Sequence, residues 1–214
     1  RRSIADKVKD NYCIYCPFLI VFMLVTIIAI AEKVMPFGPN SLSLIDSLHQ
    51  YLPFFAEYRN KLVNEGSLFY TWNIALGSNF MSLSAYYLSS PFNYLFLLFG
   101  KEDIPTVFTI IIALKLSLSA SSMAYFLSYK DAKLVDGNYE NGKSRNPVII
   151  GIALAYALSN YVIGYNWNIM WLDCIMIFPL IILGFKRLME DGNPKLYVLS
   201  LFYCLYCNYY IGFI

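Results

Sequence analysis

The feature that most constrains this chain is the run at residues 12–31, YCIYCPFLIVFMLVTIIAIA, which contains no charged side chain. Hydrocarbon offers no water to backbone N–H and C=O groups, so a run of this kind must close its hydrogen bonds internally, as a helix. About 20 residues at 1.5 Å each reach across a hydrocarbon core about 30 Å thick. Apolar runs return at 104–129, 147–165, 172–185 and 196–214. The expected fold is therefore an all-α polytopic membrane protein with these five spans. Composition agrees, with 58% hydrophobic and 14% charged residues, against about 25% charged in soluble domains. A net charge of +2 provides no field for nucleic acid, so the expected partner is the lipid bilayer. Ala29-Ile30-Ala31 resembles a signal-peptidase site, but the apolar run outlasts the roughly 7–15 residues of a signal peptide, which predicts an uncleaved first span. The missing initiator Met and an end inside an apolar run predict the N-terminal portion of a larger protein.

Lys and Arg set the orientation, because they are retained on the cytoplasmic side. Arg1, Arg2, Lys7 and Lys9 precede the first span, while Lys130, Lys133, Lys143 and Arg145 fall in the loop 130–146. Lys186, Arg187 and Lys195 fall in the turn 186–195. The opposite side receives Lys33, Arg59, Lys61 and Lys101. This places the N-terminus in the cytoplasm and the long segment 32–103 outside.

That segment is polar, aromatic and rich in Gly, Ser and Asn, far more than a connection between two spans requires. It is expected to be partly helical, with 91–99 apolar but too short to span. Asp46, His49 and Gln50 stand at i, i+3 and i+4, so an α-helix puts them on one face, continued by Pro53 and Glu57. Asp46 has two readings. Ser43-x-x-Asp46 before an apolar run looks like a helix cap; alternatively the carboxylate is a general base toward an acceptor hydroxyl. His49, the sole histidine, suits proton transfer or plain exposure. Lys115 sits about 16 Å into its span, where a charge needs a cavity or a partner, either a lipid phosphate or an acid elsewhere. Asp173, after Trp171-Leu172, is a second acid toward the same site or a residue beside an aromatic belt. Trp72, Tyr86 and Tyr87 fit sugar stacking and interface anchoring alike.

Two motifs carry no function. Gly137-Asn-Tyr-Glu-Asn-Gly142-Lys143-Ser144 spells a phosphate-binding loop, but that chemistry needs a strand before it and a helix after it in a nucleotide domain. Cys13/Cys16 and Cys204/Cys207 are spaced like zinc ligands, yet the expected topology puts them on opposite sides of the membrane, so they read as small apolar filler.

Asp46-x-x-x-Gln50-Tyr51 with Pro53-Phe54, then Phe69-Tyr70-x-Trp72 and Gly77-x-Asn79-Phe80, then Tyr86-Tyr87-Leu88-x-Ser90-Pro91-Phe92-Asn93, resemble the bacterial YfhO membrane proteins. Trp167-Asn168-Ile169-x-Trp171-Leu172-Asp173 with Pro179-Leu180, and Asn208-Tyr209-Tyr210-x-Gly212, continue the likeness. The resemblance implies a GT-C-like helix bundle and a glycosyltransferase using a polyprenyl-phosphate sugar donor at the bacterial plasma membrane. The implied acceptor is an envelope polymer, lipoteichoic acid or a wall polymer. By position, it makes Asp46 the essential acid and Asp173 a second one. His49, Gln50, Tyr51, Arg59, Trp72, Asn79, Tyr86, Tyr87 and Lys115 become substrate-binding candidates, with Lys115, Arg59 or Lys61 offsetting phosphate charge. The residues establish no cofactor; a divalent cation is possible if folding brings Asp173 or Glu57 to Asp46. A transporter or flippase of lipid-linked precursors, or a non-catalytic envelope scaffold, are the alternative readings.

Overall fold

The computed structural model describes residues 11–64, 66–130, 134–135, 138–139 and 146–214. The charged head and most of the loop 130–146, including all of the phosphate-loop-like string but Asn138 and Tyr139, lie outside the described residues. In chain order the helices are α1 (Tyr12–Ala31), a π-helical turn (Ser47–Tyr51), α2 (Leu52–Val63), α3 (Phe80–Tyr87), a 3-10 helix (Pro91–Leu98) and α4 (Ile104–Lys130). They continue with α5 (Val148–Ala157), α6 (Asn160–Tyr165), α7 (Leu172–Asp191), α8 (Lys195–Cys207) and α9 (Tyr209–Phe213). Among the described residues, strand is confined to two antiparallel ribbons, β1 (Tyr70–Thr71) with β2 (Ser78–Asn79) and β3 (Leu134–Val135) with β4 (Asn138–Tyr139). The protein is an all-α polytopic membrane protein. Among the described residues, three helical segments are long and apolar enough to cross a bilayer: Tyr12–Ala31, Ile104–Tyr129 and Val148–Tyr165.

The third of these is two pieces, α5 and α6, separated at Leu158 and Ser159. The fourth apolar run begins at Leu172 as read from sequence, but α7 continues past Phe185 to Asp191. Lys186 and Glu190, at i and i+4 with 3.9 Å between charges, allow the polar residues to extend the helix rather than turn it.

The chain divides into two compact units: 1–25, 113–164 and 175–203 form the first, and 26–112, 165–174 and 204–214 the second. The first unit packs through small residues. Cys13, Ala124, Ile149 and Ala153 form a buried cluster flanked by Tyr12, Met123 and Leu127, so Cys13 is apolar filler. Ser121 Oγ donates to the Ile14 carbonyl at 2.9 Å and Tyr156 Oη to the Ile175 carbonyl at 2.7 Å. A Cβ on Gly184 would lie 2.5 Å from Tyr197 N. Helices that share a lipid environment gain no hydrophobic drive from meeting, so close backbone approach and hydroxyl bonds are what join them.

The second unit has an aromatic core. Phe55, Phe80, Phe96 and Phe108 are all at most 1% exposed. Phe55 stacks on Phe96 with ring centroids 4.4 Å apart and meets Phe108 at 6.3 Å. Phe55 therefore pins α2 against the 3-10 helix and the start of α4. Burying such a ring contributes about 1.5–3 kcal/mol. Around this core the segment 32–103 is ordered structure rather than a slack connection.

Candidate functional site

Asp46 stands at a bend built from its neighbours. Leu44 N–H donates to Ser47 Oγ at 2.6 Å, and Ser47 Oγ donates back to the Leu44 carbonyl at 2.6 Å. This closed pair turns the chain so tightly that Ile45 takes φ +50°. A β-branched residue in the left-handed region is an outlier costing on the order of 1–3 kcal/mol, and strain of this kind gathers at functional sites. Ile45 is 65% exposed, so its own packing does not explain the conformation.

The turn after Asp46 is π-helical, not α-helical. Its wider turn keeps Gln50 beside Asp46 and brings Tyr51 toward the same face, where an α-helix would align Asp46 with His49 and Gln50. His49 is exposed accordingly. The capping reading of Asp46 does not hold: the residue has α-region dihedrals and its side chain caps no backbone N–H. Among the described residues its carboxylate accepts one side-chain hydrogen bond, from Gln50 Nε2 at 3.4 Å.

Two phenols, Tyr51 and Tyr87, lie close enough to this carboxylate to feel its charge, and they belong to a larger aromatic cluster. Tyr51 lies 5.5 Å from Tyr87 and 6.5 Å from Trp167, centroid to centroid; Phe54 meets Tyr87 at 5.1 Å and Tyr86 meets it at 4.5 Å. Tyr86 also contacts Tyr209 and Tyr210 at 6.1 and 6.2 Å. Burial, then the charge of Asp46, pushes the Tyr51 phenol well above its ordinary range. Tyr87 is raised by burial, then by Tyr86 and Asp46. Both phenols are therefore neutral at physiological pH, beside a half-buried carboxylate with spare acceptor capacity.

Two asparagines hold the cluster in place. Tyr51 Oη donates to Asn168 Oδ1 at 2.7 Å. Asn208 donates to the Tyr86 carbonyl at 3.2 Å while its Oδ1 accepts from Ile211 N–H at 2.9 Å, capping α9. Both are at most 2% exposed. Sequence reading gives neither a role, although each sits in a Trp-Asn or Asn-Tyr-Tyr string, the only signal that points to them.

The other candidates occupy different places. Asp173 is fully buried and accepts from Ser90 Oγ at 3.0 Å. Lys115 is fully buried within α4. Arg59 Nε donates to the Phe96 and Phe99 carbonyls at 3.0 and 2.8 Å, tying α2 to the end of the 3-10 helix. Asn79 caps α3, accepting from Met81 and Ser82 N–H at 3.0 and 3.3 Å. Trp72 projects outward at 76% exposure with its ring edge-on to Tyr70 at 4.9 Å.

Glu57 belongs to a separate lock. Its oxygens accept from Thr71 Oγ1 at 2.6 Å and Asn73 Nδ2 at 2.8 Å, and Lys61 Nζ lies 3.4 Å away. Burial works to raise its pKa, but these bonds and the lysine charge outweigh it and hold the carboxyl below its ordinary value of 4.5. Lys61 also donates to the Ser67 and Tyr70 carbonyls at 2.7 and 2.8 Å. A divalent cation does not fit these residues. Among the described residues no three His, Cys, Asp or Glu side chains converge. The acids considered as partners for Asp46 are engaged, Glu57 with Thr71, Asn73 and Lys61, and Asp173 with Ser90.

An all-α membrane protein with an acid beside an aromatic cluster is the class that fold and site define. The profile of the family described as "Bacterial membrane protein YfhO" matches residues 17–214, and the chain belongs to that family. No curated protein and no solved structure matches it.

Proposed function

We propose that this chain is a GT-C-type glycosyltransferase, in which Asp46 is the general base. The observation that carries the reading is the carboxylate itself: strained into position, half-buried among neutral phenols, and not spent on a helix cap. In the proposed reaction Asp46 takes the proton of an acceptor hydroxyl. The hydroxyl oxygen forms a bond to the anomeric carbon as the bond to the phosphate oxygen breaks, with inversion. The leaving polyprenyl phosphate keeps the bonding electron pair. The rings of Tyr87 and Trp167 offer faces for a sugar, and the cation distribution supports a site outside the cell. The donor is a polyprenyl-phosphate sugar and the acceptor an envelope polymer.

The test uses the full-length protein in liposomes with a radiolabelled polyprenyl-phosphate sugar and envelope polymer as acceptor. The expected result is label moved onto the polymer, with unlabelled lipid phosphate released. Label crossing the bilayer still attached to its lipid, with none on the polymer, would establish a flippase instead.

A further inference from the structure

The ribbon between α2 and α3 turns apolar side chains outward. Phe69, Trp72 and Leu76 are 71%, 76% and 94% exposed, and Leu68 and Tyr70 are 36% and 40% exposed. Scattered apolar residues on a surface are ordinary, whereas a cluster on one short ribbon marks a place that something covers. This ribbon is also held firmly. Tyr70 pairs with Asn79 and Thr71 with Ser78. Lys61 bonds the carbonyls of Ser67 and Tyr70, while Glu57 bonds Thr71 and Asn73. Gly77 has φ +103°, and a Cβ there would run into the Tyr70 hydroxyl and come within 3.2 Å of the Trp72 ring. The glycine is what lets Tyr70 and Trp72 fold over the turn. The exposure is thus a built presentation rather than a slack loop.

The surroundings indicate what covers it. Leu68 and Met81, which flank the ribbon, line a cleft of about 480 Å³ together with Leu205, Tyr206 and Tyr209. Leu205 and Tyr206 are in α8, which carries no charge after Lys195, and they are 40% and 51% exposed. At Leu68 the apolar surface of the ribbon therefore continues into Leu205 and Tyr206, at the charge-free end of an apolar helix. Trp and Tyr are the side chains that settle where hydrocarbon meets headgroups.

We propose that residues 68–79 form an interfacial anchor, which seats Phe69, Trp72 and Leu76 in the boundary between headgroups and acyl chains. A segment of this kind sits roughly 5–10 Å into that boundary. Glu57 and Lys61 couple the anchor to α2, and the Asp46 bend directly precedes α2. The anchor thereby sets the depth at which Asp46 is held relative to the membrane surface. The inference does not depend on which reaction occurs there.

The test is fluorescence quenching of the full-length protein in liposomes. Subtracting the signal of Trp72→Phe from that of the wild type isolates Trp72 from Trp167 and Trp171. Lipids brominated high on the acyl chain are expected to quench Trp72 severalfold more than lipids brominated near the chain end, with iodide in the water nearly inert. The double variant Phe69→Ser/Leu76→Ser, checked for retained protection of α2 in hydrogen exchange, is expected to lose lipid quenching and gain iodide quenching. Iodide quenching without lipid quenching in the wild type would put the ribbon in water and overturn the proposal. Quenching by neither agent would mean protein covers it, and overturns it equally.

Discussion

Replacing Lys61 with Met removes an ammonium while keeping most of the stem that runs beside Phe80, whose ring centroid lies 5.0 Å from Nζ. The residue is 8% exposed and its Glu57 partner 12%, so this is not a solvated pair of negligible worth. The substitution deletes hydrogen bonds to the carbonyls of Ser67 and Tyr70 and takes the nearest positive charge from Glu57. Charge-assisted bonds contribute about 1.5–3 kcal/mol each, and removing one partner of a buried pair costs about 3–5 kcal/mol. The contributions share a partner and do not add. Thr71 and Asn73 still bond Glu57, which places the loss near the lower end, about 3 kcal/mol. That is about a hundredfold in the opening equilibrium of the ribbon. Hydrogen exchange on the full-length protein in liposomes reads this directly: amides of residues 67–79 should exchange about a hundredfold faster, or reach the unprotected rate. Amides of α4 should be unchanged. Unaltered protection of the ribbon in Lys61→Met would refute the claim that this lysine holds it.

Tyr51→Phe keeps the ring contacts with Tyr87 and Trp167 but strips the bond to Asn168 Oδ1, whose amide nitrogen already lacks a partner among the described residues. A buried amide left without either bond costs about 1–3 kcal/mol, measured as a lower thermal midpoint, whereas an unchanged midpoint would show that the hydroxyl is dispensable. Acid should release the ribbon through Glu57. Its folded pKa lies below the ordinary 4.5, so its contribution is complete above that value and disappears as pH falls through the folded one. Ribbon protection, corrected for intrinsic exchange, should therefore drop below about pH 4.5 in the wild type and show no such step in Glu57→Gln.

How much of the molecule is legible in the sequence depends on whether a feature is local. The first helix is legible to the residue, because its apolar run is bounded by Asn11 and Glu32 and its length carries it through Pro17. The extension of α7 through Lys186–Glu190 escapes a reading in which charges mark a turn, although their i, i+4 spacing supports a helix. The Asp46 neighbourhood is visible as a place but not as a geometry. Nothing in SLSLIDSLHQY announces that Ile45 will take a left-handed conformation, since β-branched residues are the least suited to it. The resulting bend and π-turn redirect Asp46 from His49 toward Tyr51. The ribbon also escapes, although Gly77 between Tyr70-Thr71 and Ser78-Asn79 is a turn signal and Glu57-x-x-x-Lys61 is a visible ion-pair spacing. Long-range partners such as Tyr51 with Asn168, and Ser90 with Asp173, have no sequence spacing to reveal them. They arise from tertiary packing alone.

The central claim is that the Asp46 carboxylate does chemistry, and the most direct measurement compares wild type with Asp46→Asn in the full-length protein. Asn preserves size and the contact with Gln50 but cannot take a proton from a hydroxyl at neutral pH. With ribbon protection and thermal midpoint matched, sugar transfer should fall by about 10²–10⁴-fold, the usual contribution of a positioned base. Transfer at the wild-type rate in Asp46→Asn would contradict the account.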